Sequence, residues 1–147
     1  MTDDQTDAKQ PEEEHPVETD WFLTYLISTV DDYGVGLDLT LTVGGLIITG
    51  SLISGRTFFE QTANELLRAD GPNEETKEIL SEQVGMFKDA YPERKEGDDA
   101  TVMKPRRYIH LSGVRIISPG NQMIMQRSWR GKLSAIDGYI VGGSQFA

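Results

Sequence analysis

The chain has 147 residues, no cysteine and a formal charge of −10 at pH 7, and its length suffices for one domain with a hydrophobic core. The lack of cysteine excludes disulfides, thiolate metal sites and thiol nucleophiles, and it fits a reducing compartment. The N-terminal region has no basic segment followed by an apolar run, and the longest apolar runs are too short to span a bilayer. These features predict a soluble, cytoplasmic protein.

Charge is distributed unevenly along the chain. Residues 1–20 hold eight acidic groups and one lysine (net −7), residues 21–103 hold fifteen acidic and six basic groups (net −9), and residues 104–147 hold one acidic and seven basic groups (net +6). The overall sign disfavours nucleic acid as a partner, because phosphate neutralisation dominates such binding. Residues 1–19 are too polar to form a core and are predicted to be a disordered acidic tail, which either solubilises the protein or docks on a basic surface. Opposite charges on the tail and the C-terminal segment favour weak, reversible, salt-sensitive association.

A first helix is predicted directly after this tail. Asp20 or Thr19 can cap its start, and Gly34 can end it. Its apolar stripe consists of Phe22, Leu26 and Val30 at four-residue spacing, with Trp21 and Tyr25 beside them. We expect this stripe to pack on a sheet.

The next stretch alternates apolar and polar residues on both sides of Gly44-Gly45, a pattern typical of a two-residue hairpin turn. The turn fixes a register that points eight residues to one face: Leu37, Leu39, Leu41, Val43, Leu46, Ile48, Gly50 and Leu52. The opposite face is rich in threonine and is predicted to be wettable. A glycine in mid-strand permits a sharp bend, which favours a small barrel or a strongly curled sheet.

Two further helices are predicted between this hairpin and the next strands. Thr57 and Glu60 form a capping-box pattern, and Asn73 can cap the second helix. The second helix carries Leu80, Val84, Phe87 and Tyr91 on one face. We therefore predict a helical insertion at 57–91 and a charged loop at 92–105, within a single domain at 20–143 that a short tail at 144–147 follows.

Three strands complete the chain. A change of phase after Leu111 predicts a bulge at Ser112-Gly113, and Ser118 to Asn121 form a turn before the strand in "QMIMQRSWRGKLS". The last strand is "YIVGG". The fold class is α+β: an N-terminal helix and a small, strongly bent five-stranded antiparallel sheet, or a barrel similar to the Sm-like barrel, with an inserted helical hairpin.

The sequence offers no catalytic, cofactor-binding or metal-binding constellation. His15 lies in the tail, and His110 lies on a strand opposite Ile109 and Leu111, where a lone histidine is typical of a surface or cross-strand polar residue. Arg130-Gly131 is similar to the Arg-Gly of Sm-like RNA binders, but the helical insertion replaces the loop that would supply their acidic and amide partners. We therefore predict no enzyme and no cofactor.

The basic residues of the C-terminal strands could form an interaction surface, although a solvated sheet face is the favoured interpretation. The candidate interaction surface consists of Arg115, Arg127, Trp129, Arg130 and Lys132. The alternative is a solvated sheet face with one buried tryptophan. The segment "MIMQRSW" combines apolar residues with little charge at a probable sheet edge, which predicts a homo-oligomer formed by strand pairing.

The runs "DLTLTVGGLIITGSLISGRTFFE", "YIHLSGVRII" and "WRGKLSAIDGYIVGG" resemble the gas vesicle accessory protein GvpU family over most of residues 20–143. The resemblance implies a non-enzymatic cytoplasmic protein that acts in gas vesicle formation or clustering. Its expected partners are other gas vesicle proteins or the vesicle shell, and itself, with no membrane and no nucleic acid. The alternatives are an Sm-like RNA-binding protein and a general oligomeric scaffold.

Overall fold

The computed structural model describes residues 20–71, 73–97 and 106–143, and the predicted tails and most of the predicted charged loop lie outside these ranges. The helices are α1 (Trp21–Tyr33), α2 (Gly55–Arg68) and α3 (Glu74–Met86). The strands are β1 (Leu37–Val43), β2 (Leu46–Ile53), β3 (Tyr108–Ile117), β4 (Met123–Lys132) and β5 (Gly138–Val141). Short 3₁₀ segments follow α3 (Phe87–Ala90) and β4 (Leu133–Ala135).

The five strands form one antiparallel sheet in the order β4-β3-β2-β1-β5. This confirms the α+β class with a five-stranded antiparallel sheet. The sheet is open, because β4 and β5 lie at opposite edges and no pairing joins them within the described residues. The structure therefore does not show the closed Sm-like barrel. None of the helices in these ranges is long and apolar enough to cross a bilayer.

The β1–β2 hairpin has the predicted turn and register. Gly44 and Gly45 have φ of 56° and 86°, as a primed turn requires, and the pairing runs from Val43↔Leu46 to Leu37↔Leu52. The apolar side of these strands forms the centre of the core, which α1 covers; we call this side the core face. The opposite, outer face is less wettable than predicted, because Thr40 and Thr49 are buried.

A bulge in β3 confirms the change of phase that the sequence predicts. The β2–β3 register shifts between Thr49↔Arg115 and Ser51↔Ser112, and Gly113 has φ of 58°. Gly50 lies opposite the bulge, where a Cβ would come within 3.0 Å of the Ser112 carbonyl oxygen. The missing side chain at this position therefore permits the close approach of the two strands.

Helix α1 packs on the core face with a stripe that matches the predicted one in part. Asp20 caps the helix by accepting a hydrogen bond from Phe22 N (3.2 Å), and Gly34 ends it in the left-handed conformation. The buried residues are Leu23, Thr24, Ile27, Ser28 and Val30. The predicted stripe is therefore right in part: Val30 is buried and Leu26 packs against the core, but Trp21 is 68% and Tyr25 51% exposed. Leu23 and Ile27, one position away from the stripe, supply the rest of the core contact.

Helices α2 and α3 form an antiparallel pair inserted between β2 and β3. Ser54, rather than Thr57, caps α2, because Thr57 N donates to Ser54 Oγ (3.0 Å); Asn73 caps α3 as predicted. The two helices meet through small residues: Ser81 Oγ donates to the Ala63 carbonyl (2.7 Å), and Gly85 lies beside Ala63. Of the residues predicted to share one face of this segment, Leu80 and Phe87 are exposed, and Val84 and Tyr91 are half-buried.

A buried ion pair ties α1 to β3 and α2. Arg106 Nε lies 2.9 Å from Asp31 Oδ2, and both side chains are largely buried. Asp31 Oδ1 accepts a hydrogen bond from Gly55 N at the start of α2 (3.1 Å). The Tyr91 ring packs directly on Gly55, where any Cβ would overlap it, and Arg106 lies over the same ring. These contacts join α1, α2 and the 3₁₀ segment after α3 to the start of β3 at one corner of the sheet.

The hairpin turn supplies a first test of the fold. Replacing Gly45 with Val places a β-branched residue at positive φ, and we expect the free energy of unfolding to fall by about 1–3 kcal/mol from backbone strain. Urea unfolding followed by circular dichroism measures this change. The matched control is Gly120→Val, in a turn where added atoms meet open space and φ is not left-handed, so it should change stability little. Equal effects of the two substitutions would contradict the turn assignment.

Candidate interaction surface

The described residues show no arrangement for metal chemistry. Within residues 20–71, 73–97 and 106–143, no group of three or more His, Cys, Asp or Glu side chains is placed to hold a metal ion. The candidate sites for contact with other molecules are instead exposed apolar and basic surfaces of the sheet and of the helical pair.

The predicted surface residues are divided between the two faces of the sheet. Arg115 pairs with Met125, Arg130 with His110 and Lys132 with Tyr108, and all of these side chains lie on the outer face. Arg127 is exposed beside the bulge. Trp129 pairs with Leu111 and packs against the core instead. The structure therefore groups Arg115, Arg130 and Lys132 on one face and separates Trp129 from them.

The position of Trp129 also accounts for the glycine of Arg130-Gly131. The indole ring lies over Gly131, and a Cβ at this position would overlap it. Trp129 and Gly131 are two residues apart on one strand, so their side-chain positions lie on the same face. The glycine is thus explained by the packing of a neighbouring ring and needs no ligand.

Arg130 holds His110 in an aromatic pocket. His110 pairs with Arg130 on the neighbouring strand. It is only 2% exposed, because α2 and the 3₁₀ segment that follows α3 cover this end of the outer face. Its ring centroid lies 4.7 Å from that of Phe58 and 5.5 Å from that of Tyr91. Arg130 Nη1 donates to His110 Nε2 (3.0 Å), and its guanidinium stacks 3.9 Å from the Tyr108 centroid. The position of His110 in the sequence of its strand did not predict that helical segments cover it.

The electrostatics of this pocket keep His110 neutral. Burial, with a smaller contribution from the nearby positive charges of Arg130 and Arg106, lowers the pKa of His110 to about 3. The neutral ring accepts at Nε2 from an arginine that can only donate. His110 and Arg130 therefore fasten the helical pair to the sheet and are not arranged for acid–base chemistry.

The outer edge of β4 carries the clearest exposed apolar surface of the sheet. Met123, Ile124 and Met125 are all more than half exposed, with Arg115 and Arg127 beside them. We call these five residues the β4 surface; Met123, Met125 and Arg115 lie on the outer face, whereas Ile124 pairs with Ile116 and lies on the other side of the edge. The prediction that "MIMQRSW" lies on a sheet edge is confirmed, and β4 presents ten residues along that edge. An unprotected edge of this length is a template for contact with another chain.

A second exposed apolar surface lies on α3 and on the first residue of the 3₁₀ segment that follows it. Ile79, Leu80, Met86 and Phe87 are exposed, and the spacing of seven and eight residues places them on one side of the helix. We call these four residues the α3 surface. The missed signal was the pair of small residues, Ser81 and Gly85, which mark the side that contacts α2.

The neutral histidine generates a pH prediction. Because the pKa of His110 is about 3 in the folded protein and near 6.5 when unfolded, stability is complete above pH 6.5 and falls as the pH drops below it. We expect a loss of about 2 kcal/mol between pH 7 and pH 5 from this group alone. His110→Gln keeps an acceptor for Arg130 but does not titrate, so its free energy of unfolding should change less over this range. Urea unfolding at pH 7, 6 and 5 compares the two proteins, and parallel pH dependences would contradict a buried neutral His110.

Comparison with known proteins supplies the family. The family model described as gas vesicle protein GvpU-like matches residues 20–144, which is most of the chain. No curated protein and no solved structure matches this chain. The matched range begins at Asp20, the cap of α1, and includes all five strands and the helical pair. The chain belongs to the GvpU-like family of gas vesicle proteins.

Proposed function

We propose that this chain is a non-enzymatic gas vesicle accessory protein, which assists the formation or clustering of gas vesicles through protein–protein contacts and through self-association. The family relates it to gas vesicles and suggests other gas vesicle proteins as partners. The observation that supports a contact function is the β4 surface, where three adjacent large apolar side chains lie exposed along an unpaired edge. Residues of this kind in this position favour association over solubility.

The alternative of an Sm-like RNA-binding protein has less support. The aromatic side chain that could stack on a base, Trp129, packs against the core, while the basic side chains Arg115 and Lys132 lie on the outer face. Arg130 is stacked on Tyr108 and bonded to His110. Tyr108, the aromatic ring beside Lys132 on this face, is therefore already stacked on Arg130 and less available to a base.

Self-association is tested by placing a charge on the β4 surface. We expect the wild-type protein to sediment above the mass of one chain, 16.4 kDa, at micromolar concentration, and Met125→Glu to shift it towards the monomer because the contact would have to bury a charged side chain in place of an apolar one. The matched control is Ile140→Glu on β5: both side chains are 66% exposed, but Ile140 lies at the opposite edge of the sheet. Ile140→Glu should sediment like the wild type. A wild-type monomer at all concentrations would refute self-association.

Association with vesicles is tested by flotation. Fluorescently labelled protein is mixed with isolated gas vesicles and centrifuged, and we expect the label to rise with the buoyant vesicle layer. Collapse of the vesicles by pressure removes their buoyancy, so in that control the label should leave the floating layer. Label that stays below intact vesicles at every protein concentration would refute a direct contact with the vesicles or their bound proteins.

A further inference from the structure

The α3 surface and the β4 surface are separate. Phe87 touches the Phe59 ring with one side, but all four residues of the α3 surface remain exposed. Both surfaces expose large apolar side chains: Met86 is 64% and Met125 66% exposed. Two such surfaces on one small domain allow two modes of self-association. Either each surface meets its own copy, or the α3 surface of one chain meets the β4 surface of the next.

Charge distinguishes these modes. The 3₁₀ segment and α3 together, residues 74–90, hold five acidic and two basic groups, whereas residues 106–132 hold six basic groups and no acidic one. Glu78 and Glu82 are exposed on α3 near Ile79 and Met86, and Arg115 and Arg127 are exposed near Met125. Contact between two β4 surfaces sets like charges together, and so does contact between two α3 surfaces. Contact of α3 with β4 pairs opposite charges around an apolar centre.

The outer face of the sheet already accepts a helical layer. Phe58 and Phe59 of α2 lie over the His110 end of this face. The rest of the face carries Ile47, Met123 and Met125 exposed, and none of the helices in residues 20–71, 73–97 and 106–143 covers them. A helix from another chain would extend the layer across the uncovered half. An apolar helix face packed on an apolar sheet face is the ordinary arrangement of α+β layers.

On this basis, and resting on the self-association proposed above, we infer that the α3 surface of one copy docks on the β4 surface of a second copy. The contact is heterologous: each copy offers one surface and leaves the other available. Such contacts do not close after two chains unless geometry forms a ring, so they build rings or open chains of copies. An isologous β4–β4 strand pairing would instead stop at a dimer.

Two single variants separate these modes. Met125→Glu adds a negative charge where an acidic helix would dock, and Met86→Lys adds a positive charge where a basic strand would dock. The heterologous contact predicts that each variant alone sediments at close to one chain mass. Mixing them restores association, because the intact β4 surface of the Met86→Lys chain meets the intact α3 surface of the Met125→Glu chain. We expect a 1:1 complex with at least twice the mass of one chain, measured by sedimentation velocity with one variant labelled. Circular dichroism checks that both variants are folded, which their exposed positions favour.

The outcomes distinguish this inference from the function on which it rests. Met86→Lys that self-associates as strongly as the wild type would overturn the heterologous contact while leaving self-association intact, and β4–β4 pairing would then explain it. Two monomeric variants that fail to form a complex when mixed would overturn it as well. A monomeric wild type would refute self-association itself.

A chain carrying both substitutions offers a second readout. The new glutamate of one copy and the new lysine of the next face each other in the heterologous contact, so the double variant should associate more strongly than either single variant. Failure to do so would count against the inference.

Discussion

The ion pair between Asp31 and Arg106 is the constraint on which the arrangement of the helices depends. It joins the last turn of α1 to the start of β3, and the same carboxylate accepts a hydrogen bond from the first residue of α2, Gly55. Buried charges of this kind are costly alone, so each requires the other in place. Residues distant in sequence are therefore held at one corner of the sheet. The helices on its two faces are positioned relative to each other through this corner and not only through the apolar core.

Local pattern predicted the strands better than the helix faces, for a physical reason. The Gly44-Gly45 turn and the alternation around it leave one register, and Gly113 marks the bulge, because backbone geometry admits few solutions there. A helix offers several overlapping stripes. In α1 the prediction placed aromatic residues on the face that contacts the sheet. In the structure Leu23, Ile27 and Val30 form the narrower stripe that fits the sheet. In α3 the helix contact is made by Ser81 and Gly85, whose small side chains add nothing to hydrophobic periodicity.

The candidate surface was predictable in part. The sequence identified β4 as an edge strand with apolar residues, because the low charge of this strand can be read from its own residues. Alternation along the strand places the adjacent residues Trp129 and Arg130 on opposite faces, but the sequence could not say which of the two faces packs against the core, since that depends on which strands pair. It also could not predict the cover over His110, because Phe58, Phe59 and Tyr91 reach it through the packing of an inserted helical pair. Strand order, and hence the open sheet in place of a barrel, is a global property of the same kind.

The capping residue Asp20 has a mechanical consequence. Its carboxylate caps α1 and also accepts a hydrogen bond from the Tyr139 hydroxyl on β5. Tension applied through residues 1–19 would reach the domain at Asp20, where these two hydrogen bonds would resist it before any turn of the helix unwinds. While the bond to Tyr139 holds, part of the load passes to β5, which has four residues and, among the described residues, pairs only with β1. A pull from the N-terminal side is thus shared between α1 and the β5 edge, while the β4 edge, four strands away, keeps its shape.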